Sequence, residues 1–271
     1  MGRDEPELEP GRSSLGRSLH IAGVGFTLLA HTAIICVNTH VSSAIERLLT
    51  RLELEMSHDL SQLRTIFTSA LASDCLDAMG YGKQVLNEDI HMLSGEGVML
   101  GYAFPVQIEI VDSFPEVPYV GLLKALDAIQ KDQVYVTPTG RAGKASLWGE
   151  LLSTACNFKG VAGSLADGPS RDLARTRAMG FKIFGTGSLP VDINGRYEVV
   201  AHNVSGVIDE VTINPGDLIV ADVDGVTVVP VVAIDEVIKR VIEKNSGETN
   251  FRKAVKAGMA PSEAFAKFGV L

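Results

Sequence analysis

Hydrophobic and polar positions change their period several times along this chain, and each change marks an element. Leu63, Ile66 and Phe67 stand at helical spacing, and residues 69–79 continue as helix to Gly80, which suits a left-handed C-terminal cap. Residues 98–111 (VMLGYAFPVQIEIV) are rich in strand formers, and Pro105 predicts a break or a sheet edge there. Residues 119–129 read as helix and 134–137 as a short buried strand, followed by a loop over 138–146 whose Gly140 and Gly143 allow unusual backbone angles. Over 147–158 the pattern predicts an amphipathic helix. Its apolar face holds Trp148, Leu151, Leu152 and Ala155, at i, i+3, i+4 and i+7; Glu150, Ser153, Thr154 and Asn157 mark the opposite face.

Residues 161–166 predict another strand, then the turn Asp167-Gly168-Pro169-Ser170. Ser170 is placed to N-cap a helix over 171–179 that Gly180 closes. Residues 182–185 read as strand, and 198–229 alternate with turns at Asn214-Pro215-Gly216-Asp217 and Asp222-Val223-Asp224-Gly225. Residues 233–244 and 250–268 read as two helices. Helix-flanked strands followed by a strand-rich block predict a layered α/β fold with a mixed sheet.

The first 55 residues follow another pattern. Residues 18–44 contain no Asp, Glu, Lys or Arg, and Arg3, Arg12 and Arg17 precede a nearly apolar run over 21–37. A targeting or membrane segment would look like this, but His20, His31 and His40 interrupt it and Asp4, Glu5, Glu7 and Glu9 spoil the basic leader. An extra helix on the domain and a biological start at Met56 are further readings. The expectation is an extension over 1–55 outside the fold, with one domain over 56–271.

Composition narrows the function. An apolar fraction of 46% supplies ample core. A net charge of −9 argues against a nucleic-acid surface, which needs clustered Lys and Arg. Cys36, Cys75 and Cys156 have no metal-ligand spacing, and an odd count suits reduced thiols in a cytoplasmic protein.

Chemistry concentrates at two helix starts that each follow a strand, Gly149-Glu150-Leu151-Leu152 and Ser170-Arg171-Asp172. A helix N-terminus presents unpaired N–H groups to an anion such as a carboxylate. Arg171 adds a bidentate grip and a positive charge, Asp172 a hard oxygen ligand for Mg²⁺ or Mn²⁺, and Glu150 a second oxygen. An ordinary first-turn acid and a solvated Arg-Asp cap explain the same residues. Asp222 and Asp224 fit a turn better than a metal pair. The Gly140-to-Ser146 loop lacks phosphate-loop spacing and fits a supporting wall of the pocket.

Spacing and flanking blocks decide between these readings. Glu150, twenty intervening residues and Arg171-Asp172 match the acid-x20-Arg-Asp signature of the RraA-like superfamily, named for regulator of ribonuclease activity A. Trp148-Gly149-Glu150-Leu151-Leu152, Asp167-Gly168, Met179-Gly180-Phe181 and Pro215-Gly216-Asp217-Leu218 resemble its blocks in order, over about residues 60–271. The resemblance implies an α/β/β/α layered domain with mixed sheets and a homotrimer or hexamer with sites near subunit interfaces. It implies a divalent-metal lyase that cleaves 4-hydroxy-4-methyl-2-oxoglutarate or a related 2-oxo-4-hydroxy acid to pyruvate, with oxaloacetate decarboxylation as a side activity. By the same resemblance Gly149, Glu150, Leu151 and Leu152 line the pyruvyl pocket, Arg171 contacts substrate and enolate, Asp172 is the direct metal ligand and Glu150 orients water. Glu243 and Glu248 are both candidates for an acid donated by a neighbouring subunit. The rival implied by the family's namesake is a non-catalytic regulator that binds a ribonuclease.

Overall fold

The computed structural model of the chain describes residues 58–143 and 145–270. Its strands are β1 (His91–Ser94), β2 (Met99–Ile110), β3 (Gln133–Thr137), β4 (Gly163–Ala166), β5 (Ile183–Gly185), β6 (Tyr197–His202), β7 (Gly206–Ile208), β8 (Val211–Ile213), β9 (Leu218–Asp222) and β10 (Gly225–Val229). Its helices are α1 (Leu60–Leu63), α2 (Ser69–Ala78), α3 (Val120–Ala128), α4 (Glu150–Lys159), α5 (Leu173–Met179), α6 (Ile234–Lys256) and α7 (Pro261–Phe268).

Side-chain alternation along the strands builds the layers, because successive residues of a strand point to opposite faces. Val134 and Val136 of β3 turn inward with Met99, Leu165, Ile219 and Val228, forming a core enclosed by the sheet itself. The intervening residues face outward to two helical layers. Leu100, Leu218 and Val220 pack beneath α2 and α6, against Leu71, Leu76 and Val237. Phe104, Tyr135 and Ile183 pack beneath α3 and α4, against Leu122, Ala125 and Cys156. Helix, sheet, sheet and helix therefore follow one another, the mixed α/β layering expected from the sequence.

The eight-stranded sheet runs β1-β5-β4-β3-β2-β9-β10, with β6 joined to β2, and β7-β8 form a separate pair. The β2–β3, β3–β4 and β4–β5 pairs are parallel, and the remaining pairs are antiparallel. The curl is tied by one stretch of chain. Leu86 N–H donates to Val226 O at 3.0 Å, beside β10, and a few residues later β1 pairs with β5 at the opposite edge. β1 has too short a pattern to be read from sequence.

Three expectations are corrected. Pro105 does not break β2: its antiparallel neighbour is β9 over 99–102 and β6 over 106–110, so the residue lacking an N–H sits where one partner gives way to the next. The helix expected to end at 244 continues to Lys256, and the chain turns at Gly258 (φ +97°) before Pro261 opens α7. Gly247, which looks like a helix breaker, is a packing notch: a Cβ there would lie 3.2 Å from Val270 Cγ1. Ser170 does not cap α5, which starts at Leu173 with Asp172 in the left-handed region (φ 57°) at the N-cap.

Asp222 performs the turn role expected of it and a second one. Its buried carboxylate accepts from Asp224 N at 3.0 Å and from Ser69 N at 2.8 Å, anchoring the start of α2. The expectation for residues 1–55 lies outside the described residues. Among the described residues no helix is long and apolar enough to cross a membrane.

Candidate active site

The helix expected over 147–158 begins three residues late, at Glu150, and is rotated so that Ser153 and Cys156 are its buried residues. Trp148 precedes it and is buried, its ring stacked on Phe181 with centroids 5.9 Å apart. The Trp148 indole N–H donates to Ser153 Oγ at 2.9 Å, and Ser153 Oγ donates to Gly149 O at 2.9 Å. With that hydroxyl satisfied, Ser153 is buried without an unmet hydrogen bond, and Cys156 packs inward beside it. Of the residues read as the core face, Trp148 is buried and Leu152 packs against the core, while Leu151 (74% exposed) and Ala155 point out, as does Phe158 (94% exposed).

A hydrogen-bonded loop brings the second motif to this helix start. Leu147 N–H donates to Pro169 O at 3.0 Å and Arg171 N–H to Trp148 O at 2.9 Å, which fastens residues 147–149 alongside 169–171. Asp167, buried behind them, accepts from Thr139 N at 2.6 Å and Arg141 N at 3.2 Å and fixes the neighbouring loop. Gly149 allows the close approach. It has extended backbone that any residue adopts (φ −164°), yet a Cβ would lie 2.9 Å from Asp172 Oδ2 and 3.2 Å from Arg171 Cγ.

The structure brings Glu150, Arg171 and Asp172 together. Asp172 Oδ2 is 3.4 Å from Glu150 N and 3.6 Å from Arg171 Nε. Thr154 Oγ1 donates to Glu150 Oε1 at 3.1 Å, and Arg175 Nη1 lies 3.9 Å from Glu150 Oε2. The N-cap Gly149 has no side chain, and the Asp172 carboxylate takes the Glu150 N–H instead, which leaves the N–H groups of residues 151 and 152 to an incoming anion. Beside these groups opens a cavity of about 340 Å³ with apolar walls that include Leu122, Leu126, Leu147, Trp148 and Leu152. Of the described residues in the Gly140-to-Ser146 loop, expected to form a supporting wall, Ser146 lines the cavity. Neither Glu243 nor Glu248 of this chain lines the cavity; Glu248 pairs with Arg252 at 3.1 Å.

Two residues went unnoticed in the sequence. Asp192 Oδ1 lies 3.2 Å from Arg171 Nη2, and Tyr119 donates its phenolic hydrogen to Asp192 Oδ2. That bond, with a smaller contribution from burial, raises the Tyr119 pKa above the ordinary phenol value and keeps the hydroxyl protonated as a donor. Asp192 lies in a loop without periodicity; one polar position between Val191 and Ile193 was the sole signal.

Among the described residues no three His, Cys, Asp or Glu side chains are grouped to hold a metal ion. Asp172 and Glu150 nevertheless offer hard oxygens at the cavity's edge. That donor set fits Mg²⁺ or Mn²⁺ better than zinc, because Mg²⁺ keeps several waters and takes one or two carboxylates, whereas zinc sites recruit three or four protein ligands.

The family model for RraA-like proteins (Aldolase/RraA) matches residues 69–228, a span that contains every residue of this site. The chain belongs to the RraA-like family. This RraA-like chain is 28% identical over 207 residues to the "Putative 4-hydroxy-4-methyl-2-oxoglutarate aldolase" of Halalkalibacterium halodurans, a match covering 76% of this chain and 92% of that one. It is also 28% identical over 196 residues to protein DlpA of Legionella pneumophila; the match takes in 72% of this chain and 31% of DlpA, so the chain spans about a third of that relative. Among solved structures, RraAS2 of Streptomyces coelicolor, an unusual member of the RNase ES inhibitor RraA family, superposes with a TM-score of 0.61 at 28% identity, covering 69% of this chain and 93% of RraAS2. An uncharacterized protein from Pseudomonas syringae pv. tomato superposes with a TM-score of 0.65 at 26% identity, covering 73% and 89% of the two chains.

Proposed function

We propose that this RraA-like protein is a divalent-metal-dependent lyase that cleaves 2-oxo-4-hydroxy acids, such as 4-hydroxy-4-methyl-2-oxoglutarate, to pyruvate, with oxaloacetate decarboxylation as a side activity. The observation that carries the reading is the convergence of a helix N-terminus, Arg171 and two carboxylates on one edge of an apolar cavity. The first-turn amides of residues 151 and 152 take the pyruvyl carboxylate. Cleavage breaks the C3–C4 bond: the 4-hydroxyl gives up its proton and becomes a carbonyl, and the electron pair passes into an enolate whose charge rests on the 2-oxo oxygen. Arg171 opposes that charge where it develops. Glu150, oriented by Thr154, acts through water to receive the proton, and a proton delivered to C3 completes pyruvate. Asp172 would hold a Mg²⁺ or Mn²⁺ ion, with Glu150 beside it, and the ion would supply Lewis acidity. Loss of CO₂ from oxaloacetate leaves the same enolate, so the same groups serve.

The exposed Leu151 and Phe158 on α4 support assembly into a homotrimer or hexamer of a cytoplasmic enzyme, which would bring a neighbour's acid toward the site. Likeness to RraAS2 favours one alternative, a regulator that binds a ribonuclease. The test is to supply both substrates with Mg²⁺, with and without a chelator, and follow pyruvate. The lyase reading predicts pyruvate that the chelator abolishes and added Mg²⁺ restores. No pyruvate from either substrate, together with capture of a ribonuclease, selects the regulator.

A further inference from the structure

The Arg171 guanidinium is gripped from outside the motif that carries it. Its Nη2 lies 3.2 Å from Asp192 Oδ1, while Nε faces Asp172 Oδ2 at 3.6 Å. Asp192 is itself held: Tyr119 donates its phenolic hydrogen to Oδ2, and Asn194 N–H lies 3.4 Å from the same oxygen. Tyr119 is committed to this geometry, since it adopts the left-handed region (φ 63°) just before α3. All three side chains line the cavity. A guanidinium has five N–H donors, so one partner on Nη2 and one facing Nε leave donors for a substrate oxygen while restricting rotation of the long side chain.

We propose that Asp192 is the positioning residue for Arg171, aiming its free donors into the cavity, and that Tyr119 sets Asp192 in turn. This rests on the lyase reading for the identity of the ligand, a planar pyruvyl enolate.

The test measures binding without turnover. Oxalate, two joined carboxylates shaped like that enolate, is titrated into the full chain with Mg²⁺. Fluorescence of Trp148, the sole tryptophan and a wall of the cavity, reports the binding. Asp192→Asn is expected to weaken oxalate about tenfold, as for a displaced catalytic group. Tyr119→Phe should weaken it about threefold, and the double variant should bind no worse than Asp192→Asn alone, because both act through one contact. In an Arg171→Ala background, Asp192→Asn should change nothing further. Unchanged binding in Asp192→Asn overturns the proposal. So does tighter binding, which would mean that Asp192 competes with the ligand for the guanidinium. If Asp192→Asn does not fold, Tyr119→Phe carries the test by the same criteria. Oxalate binding with no pyruvate formed defeats the lyase reading and leaves this inference standing; a wild-type chain that binds no oxalate overturns both.

Discussion

Gly149→Ala offers a way to disturb the site while sparing the fold. The backbone at 149 is extended (φ −164°), so alanine adopts it without strain. The added Cβ, however, would stand 2.9 Å from Asp172 Oδ2, where ordinary contact begins near 3.4 Å, and 3.2 Å from Arg171 Cγ. Both functional side chains must retreat, Asp172 by about half an ångström. A misplacement of about 1 Å in a catalytic group costs up to about 100-fold, so half of that corresponds to about tenfold in kcat/KM, or about 1.4 kcal/mol of transition-state stabilisation. Stability should barely change. Replacing an N-cap glycine by alanine costs under about 1 kcal/mol, a fall in Tm of about 2–4 °C for a domain of this size. Gly149→Ser keeps the collision and restores a capping hydroxyl, so it should lose the same activity with Tm unchanged. Pyruvate release coupled to lactate dehydrogenase gives the kinetics, and circular dichroism the melts. Full activity in both variants would refute the packing of Arg171 and Asp172 on Gly149 as the basis of the site. A drop in Tm beyond about 10 °C would show that glycine is needed there for folding instead.

Other predictions test the chemistry and the burial. Arg171→Ala and Asp172→Ala should each lower kcat/KM by about 100-fold or more, with Asp172→Ala also weakening Mg²⁺ activation; activity that survives both places the site elsewhere. Cys156 is fully buried, and desolvation pushes its thiol from 9.0 up to about 12. The unfolded chain therefore releases this proton first, so stability is constant below pH 9 and falls as pH rises from about 9 to 12, by up to about 4 kcal/mol. Urea midpoints at rising pH should show the fall, and Cys156→Ala should flatten its first part, below the range where the buried Tyr135 phenol contributes in the same direction. Phe158→Ser, at a side chain 94% exposed, should leave the melt of the isolated domain within about 0.5 kcal/mol yet shift sedimentation toward monomer. An unchanged oligomer distribution would remove α4 from the interface.

What the sequence determined by itself was whatever local periodicity and spacing encode. Short apolar runs in the segments of β2, β3, β9 and β10 reflect strands with two buried faces, and Gly80 and Gly180, both at positive φ, end helices as a missing Cβ permits. The interval from Glu150 to Arg171-Asp172 marked the site by its resemblance to a family signature, and the ten-residue helix α4, the strand β4 and a loop fill it. Tertiary structure decided the rest. Periodicity reveals an apolar stripe on α4 but not what covers it: Ser153 faces the core because the Trp148 indole and the Gly149 carbonyl satisfy its hydroxyl there, which leaves Leu151 and Phe158 outside. Gly247 lies inside α6 where Val270 packs against it, a contact no local window contains. Asp192 reaches Arg171, and Tyr119 reaches Asp192, from segments apart in sequence, where hydrogen bonding, rather than any repeat of residue types, brings a carboxylate to a guanidinium.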